Sequence, residues 1–250
     1  VRRFLERALE REPKPVVLAG RCYEREAVPY RAMDSLIDRL STYWLQLATN
    51  EARALLPDDA ALLPTLFPVL ARVPVVAEAH DLPAIADRQE VRTRAFAALR
   101  QVLQRLAARR PLILFIDDLQ WVDNDTIALL ADLMRAPDPP ALLLVLATRV
   151  EGSEPVLQLV GRTDSVQRVV EVGPLDVASA VALATEQLGD DAASRALATR
   201  IAREAAGSPL FVLELARYMQ GRSFDEAQGK GLDEVLLERV AGLGAEAHTL

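Results

Sequence analysis

The sequence is poor in every residue that builds a redox or transition-metal site. Cys22 is the only cysteine, and His80 and His248 are the only histidines. One thiol cannot close an internal disulfide, and no Cys/His cluster with the spacing of a zinc site exists. Lysine is nearly absent: Lys14 and Lys230 stand alone, and arginine supplies the rest of the positive charge. Aromatic residues make up 5% of the chain, so a core has to be built from Leu, Val, Ile and Ala. No G-x-S-x-G turn is present to carry a serine hydrolase's nucleophile. The longest apolar run, Ala141 to Ala147, is far too short to span a bilayer. The N-terminus carries acids and no apolar signal-peptide core, so a cytoplasmic location is the default expectation. A net charge of −7 argues against broad contact with nucleic acid or an anionic membrane. What is present suits a folded chain: 51% hydrophobic and 26% charged over 250 residues, enough for a large domain plus a smaller one.

The most informative stretch is Leu112-Ile-Leu-Phe-Ile-Asp-Asp-Leu-Gln-Trp121. Five apolar residues follow Pro111 and run into two adjacent carboxylates. Such a run reads as a strand buried on both faces of a parallel sheet. Asp117 and Asp118 then fall at its C-terminal end, where open α/β sheets place their ligand sites. Two carboxylates there need a cation, a hydrogen-bond network or water to compensate them. A Mg²⁺ shared with nucleotide phosphates is one such partner. This is the Walker B pattern of P-loop NTPases. The plainer reading is a buried strand that merely ends in acids. The doubled Asp followed by Leu-Gln-Trp favours the nucleotide site.

The rest of the chain arranges itself around this strand. Val1 to Glu10 has helical spacing but no capping residue, so the chain begins inside a helix. Val16 to Gly20 is a short buried strand, and residues 21–30 form a polar loop. Ala32, Leu36, Ile37, Leu40 and Trp44 mark an amphipathic helix. Residues 50–87 are broken by five prolines into short helices and turns. Asp87 to Arg110 reads as one long helix whose arginines form the solvated face. Asp123 or Asn124 caps the helix after the central strand. Ala141 to Thr148 is the next strand, giving a right-handed βαβ unit, and Arg149 ends it on the same edge as Asp117. Gln167 to Val172 reads as a further strand. From Asp176 onward the pattern is helical, and Ser208-Pro209 caps and opens the third of these helices.

One element is missing. No G-x-x-x-x-G-K-[ST] turn, whose backbone N–H groups would cradle phosphates, occurs in the sequence. In a P-loop protein that turn opens a helix leading to the second strand. The opening half-helix followed by Val16 to Gly20 fits that order, so the first strand and its loop are expected upstream of Val1.

Three stretches together resemble the nucleotide-binding domain of STAND-type AAA+ ATPases, in particular the bacterial AAA ATPase module of kinase-linked and LuxR-type signalling proteins. They are Arg21-Cys-Tyr-Glu-Arg-Glu-Ala-Val-Pro-Tyr30, Leu114-Phe-Ile-Asp-Asp-Leu-Gln-Trp-Val-Asp123 and Gly207-Ser-Pro-Leu-Phe211. The resemblance implies an α/β fold: a P-loop NTPase-like parallel sheet flanked by helices, then an α-helical lid and the start of a winged helix. Residues 1–175 would be the core, 176–231 the lid and 232–250 the start of the next domain. Val16–Gly20 would lie at the sheet's edge beside the central strand. The implied cofactors are ATP and Mg²⁺. Asp117 would hold the metal, Asp118 would polarise the attacking water and Arg149 would sense the γ-phosphate. Gly207 and Pro209 would line the nucleotide pocket. The implied role is a slowly hydrolysing regulatory switch fused to a kinase or other output domain, with self-association possible and direct nucleic-acid binding not expected. The alternative is a non-hydrolysing interaction scaffold.

Overall fold

The computed structural model describes residues 1–24, 30–79, 87–161 and 165–220. The chain divides into two compact units, Val1–Gln167 and Arg168–Leu250. The first begins with helix α1 (Arg2–Leu9), strand β1 (Val16–Arg21) and helix α2 (Arg31–Leu45). Three short helices follow, α3 (Thr49–Arg53), α4 (Leu63–Leu66) and α5 (Pro74–Ala77), in the proline-broken region where short elements were expected. Next come α6 (Arg88–Ala107), β2 (Leu112–Asp117), α7 (Asn124–Leu133), β3 (Leu142–Leu146) and α8 (Glu154–Val160).

The three strands form a parallel sheet in the order β1-β2-β3. Among the described residues β1 is therefore an edge strand and β2 its neighbour, as the resemblance implies. The register sets Val16 beside Leu112 and Leu112 beside Leu142. Side chains alternate across a strand, so this register sorts the sheet into two faces. Val16, Leu18, Leu112, Leu114 and Ile116 point into the main core, with Leu142, Leu144 and Leu146 packed against it. On the other face Ile113 is buried, but Val17, Ala19, Phe115 and Val145 are only partly so, and Leu143 is exposed. Burial on both faces thus holds only at the start of β2, around Ile113, and fails along the rest of that face. The edge of β3 away from β2 has no strand beside it among the described residues.

The core face is covered mainly by α2, α6 and α7. Leu36, Ile37, Leu40 and Trp44 recur at helical spacing on α2 and are almost fully buried. Leu99, Val102, Leu103 and Leu106 do the same on α6. Asp87 caps α6 by accepting the Gln89 N–H at 2.9 Å. Two α6 arginines depart from the solvated face read in the sequence. Arg92 lies over the rings of Tyr30 and Phe96, at 5.5 and 5.2 Å from their centroids, and pairs with Asp125 on α7 at 2.9 Å. Arg100 has its Nε and one terminal nitrogen shielded from solvent and, among the described residues, without a hydrogen-bond partner. Long arginine stems let a charged residue cover apolar surface, which the charge pattern alone conceals.

The second unit holds α9 (Val177–Leu188), α10 (Ala192–Glu204) and α11 (Pro209–Met219). They share a small core of Ala180, Ala184, Leu197, Ala198, Ile201, Val212, Leu215 and Ala216. Each start is capped by its own side chain: Asp176 on the Ser179 N–H, Asp191 on those of Ala193 and Ser194, Ser208 on that of Phe211. The strand expected at Gln167–Val172 is not formed. Val169, Val170 and Val172 are largely exposed there, and a strand without a neighbour leaves its backbone groups to water. The expected winged-helix start at 232–250 lies outside the described residues, as do residues 25–29 of the polar loop.

Close approach of α2 to β1 rests on Gly20. A Cβ there would sit 2.7 Å from the Ala32 carbonyl oxygen and 2.6 Å from Leu36 Cδ1. Gly20→Ala should therefore destabilise the protein by about 1–3 kcal/mol, the usual cost of overpacking. Urea unfolding followed by circular dichroism measures it; an unchanged midpoint would show that α2 shifts without cost.

Candidate active site

Parallel pairing brings the ends of all three strands to one edge. In the register, Arg21 at the end of β1 lies beside Asp117 at the end of β2. The Cys22 N–H continues the ladder by donating to the Asp117 carbonyl at 3.0 Å. From the β3 side, Ala147 N–H donates to Ile116 O, and Leu119 N–H donates to Ala147 O, each at 3.0 Å. These bonds fix the turn that carries the carboxylates between its two neighbours.

Asp117 is partly exposed, and its Oδ1 accepts the Asp118 N–H at 3.1 Å. Among the described residues nothing engages its second oxygen. Asp118 has a left-handed backbone, φ 56° and ψ 41°, which asparagine and aspartate tolerate better than most side chains. Both of its oxygens are taken. Oδ1 accepts from Gln120 Nε2 at 3.0 Å, and Oδ2 accepts from Arg21 Nε at 2.5 Å. The Asp118 side chain keeps 22% of its exposure and Arg21 keeps 59%, so solvent screens the pair. The Gln120 hydrogen bond, then the bond and charge of Arg21, then the charge of Arg149, hold the Asp118 carboxyl below the usual carboxylate range against the opposing effect of burial. The hydrogen bond and charge of Asp118 raise the Arg21 guanidinium in turn.

Arg149 follows β3 by three residues and is exposed. Its backbone N–H donates to Gln120 Oε1 at 3.2 Å, which puts it on the same edge as Asp118. Asp117, Asp118 and the Arg149 backbone therefore lie at one edge of the sheet. Asp123 is the cap of α7: it accepts the Thr126 N–H at 2.7 Å and also the Tyr30 N–H at 3.3 Å. The Cys22 thiol beside this turn is pushed up to about 12 by burial, with Asp123, Asp118 and Asp117 adding to it. It is a buried apolar-like group rather than a nucleophile. Trp121 is 42% exposed and lies at the surface rather than in the core.

Gly207 and Pro209 belong to the second unit. Gly207 has φ +78°, and a Cβ on it would meet the Leu175 carbonyl oxygen at 2.6 Å. Its own carbonyl accepts the Leu175 N–H at 2.8 Å. Pro209 is exposed at the first position of α11. Both residues thus have a local structural reason to be what they are.

Arg21 and Gln120 are the site residues that the sequence does not announce. Arg21 becomes visible only with the register that sets it beside Asp117. Gln120 lies inside the informative stretch, but nothing in its spacing says which groups its amide joins.

Paired carboxylates and an arginine lie at the C-terminal edge of this parallel sheet, the edge where open α/β sheets place their ligand sites. Residues 1–146 match the AAA ATPase domain family, and the chain belongs to that family, with its P-loop NTPase-like fold. Residues 177–224 match a domain of unknown function. The chain is also similar to the Walker-type ATPase of Pyrococcus abyssi, at 17% identity and a TM-score of 0.41, over 96% of this chain and 72% of the other. No curated protein matches.

Among the described residues no three His, Cys, Asp or Glu side chains group to hold a metal by themselves. Asp117, with one oxygen uncommitted, fits a Mg²⁺ that takes its remaining ligands from phosphates and water. The depressed Asp118 pKa makes a further expectation. The unfolded chain binds this proton more readily than the folded one, so the ion pair's stabilisation is fully present above the ordinary aspartate value of about 3.9 and is lost as pH falls through the lower folded value. Urea midpoints of the wild type and Asp118→Asn should converge as pH drops below about 4. A difference that does not change with pH would remove the ionised pair from the account.

Proposed function

We propose that the chain supplies the carboxylate-and-sensor side of an ATP·Mg²⁺ site in a larger signalling protein, where it acts as a slow regulatory switch. The observation that carries this reading is the convergence of Asp117, Asp118 and Arg149 on one sheet edge in a member of the AAA ATPase domain family. Bound Mg²⁺ would neutralise the phosphate charge that develops during transfer. Asp117 would hold it. Asp118 would accept a hydrogen bond from the attacking water, and Arg149 would face the terminal phosphate. Asp118 must first exchange a bond it already makes, because Arg21 and Gln120 occupy both oxygens. A base with a depressed pKa and both oxygens engaged favours slow turnover, which suits a switch more than a metabolic enzyme. The phosphate cradle would have to come from another segment, because the sequence holds no G-x-x-x-x-G-K-[ST] turn. The output would be a fused kinase or other signalling domain. In the described residues no helix is long and apolar enough to cross a membrane.

The absence of G-x-x-x-x-G-K-[ST] from the sequence favours one second reading, a non-hydrolysing interaction scaffold. Thermal unfolding separates the two. A ligand at about a hundredfold its Kd stabilises a protein by about 2.7 kcal/mol, and each kcal/mol raises the melting temperature of a domain this size by about 2–4 °C. Mg-ATP should raise the melting temperature of the longer protein by several degrees and leave the 250-residue chain almost unmoved. Asp117→Ala in the longer protein should weaken the Mg²⁺ dependence. No shift in the longer protein would establish the scaffold.

A further inference from the structure

The Gln120 side chain is placed between two groups that the functional reading uses separately. Its Nε2 donates to Asp118 Oδ1 at 3.0 Å, and its Oε1 accepts the Arg149 backbone N–H at 3.2 Å. Only one orientation of the carboxamide satisfies both, because an ionised carboxylate only accepts and a backbone N–H only donates. The side chain is also hemmed in from a third direction. Gly152 has φ +87°, and a Cβ on it would stand 3.1 Å from Gln120 Cβ. Gln120 and its bond to Asp118 are partly buried, whereas the bond from the Arg149 N–H is exposed to solvent.

We propose that Gln120 is a positioning residue of the nucleotide site: its carboxamide joins the Asp118 carboxylate to the Arg149 backbone, so that a change at either group is felt at the other. The residue touches no reacting atom in this role. It sets the direction of one Asp118 oxygen and holds the start of the segment that carries the Arg149 guanidinium. When Asp118 turns toward another hydrogen-bond donor, Gln120 loses its partner and Arg149 loses its restraint. The carboxylate and the sensor thus respond as one unit. The proposal deepens the nucleotide-site reading, but its geometry and its test do not require that nucleotide be bound.

The experiment uses amide hydrogen exchange of the 250-residue chain, read by NMR at Arg149, in four proteins: wild type, Gln120→Ala, Asp118→Ala and the double variant. Exchange at the ladder amides of β2 and β3 serves as the folding control. Gln120→Ala should speed exchange at Arg149 by about fivefold, the factor that one ordinary hydrogen bond represents. Asp118→Ala should also speed it, because it frees the other end of the carboxamide. In the Gln120→Ala background, Asp118→Ala should add nothing at Arg149. The proposal is overturned if Asp118→Ala acts equally in both backgrounds, since the coupling would then run through the Leu119–Ala147 and Ala147–Ile116 backbone bonds instead. It is also overturned if neither variant changes Arg149 while the control amides stay protected. If the control amides themselves lose protection, Gln120→Asn replaces Gln120→Ala. Its amide is one methylene too short to span both partners, so faster exchange at Arg149 supports the proposal and unchanged exchange overturns it. Failure of ATP to bind the longer protein would leave each of these outcomes intact.

Discussion

In a parallel sheet every strand runs the same way, so the residues that end β1, β2 and β3 meet along a single edge. Here that edge gathers Arg21, Asp117 with Asp118, and Arg149 from well-separated parts of the sequence. The pairing also determines which side chains face the core. The row of Val16, Leu112 and Leu142 and the alternate rows that follow it point toward α2, α6 and α7. Burial of that face supplies the free energy that holds the strand ends in place. The chemistry of the edge therefore depends on apolar packing one layer beneath it.

Once the strand ends are fixed, electrostatics decides how the site rests. Two adjacent carboxylates repel each other and seek donors. Asp118 finds two, the Gln120 amide and the Arg21 guanidinium, while Asp117 keeps an oxygen open. The asymmetry gives the two aspartates different characters: one is a restrained acceptor and the other an available ligand. The Arg21 pair is partly exposed and screened, so exchanging it for another partner is inexpensive.

Much of this order was legible in the sequence. The apolar run ending at Asp117, the helical stripes of α2 and α6, and the caps at Asp123 and Ser208 are local patterns, and each was found in place. The convergence of Asp117 and Arg149 followed from the βαβ rule. What could not be read is what depends on partners distant in sequence. Gln167–Val172 has the composition of a strand, yet a strand exists only where another lies beside it. Arg92 and Arg100 look like solvated arginines until the helix packing is known. Arg21 and Gln120 have no signature at all, because a register and a side-chain amide bridge leave none in one sequence. Gly207 was legible as punctuation, and the close approach of Leu175 explains why only glycine fits there.

The claim at the centre of this account is that the edge formed by Asp117, Asp118 and Arg149 faces bound nucleotide and its metal. Mn²⁺-ATP, added to isotope-labelled protein that includes the phosphate loop, tests it most directly, because the paramagnetic ion broadens the signals of its neighbours. The account predicts that the amides of residues 117–121 and 147–149 broaden first, with Mg²⁺-ATP leaving them sharp. Broadening centred elsewhere, with these signals unaffected, would contradict it.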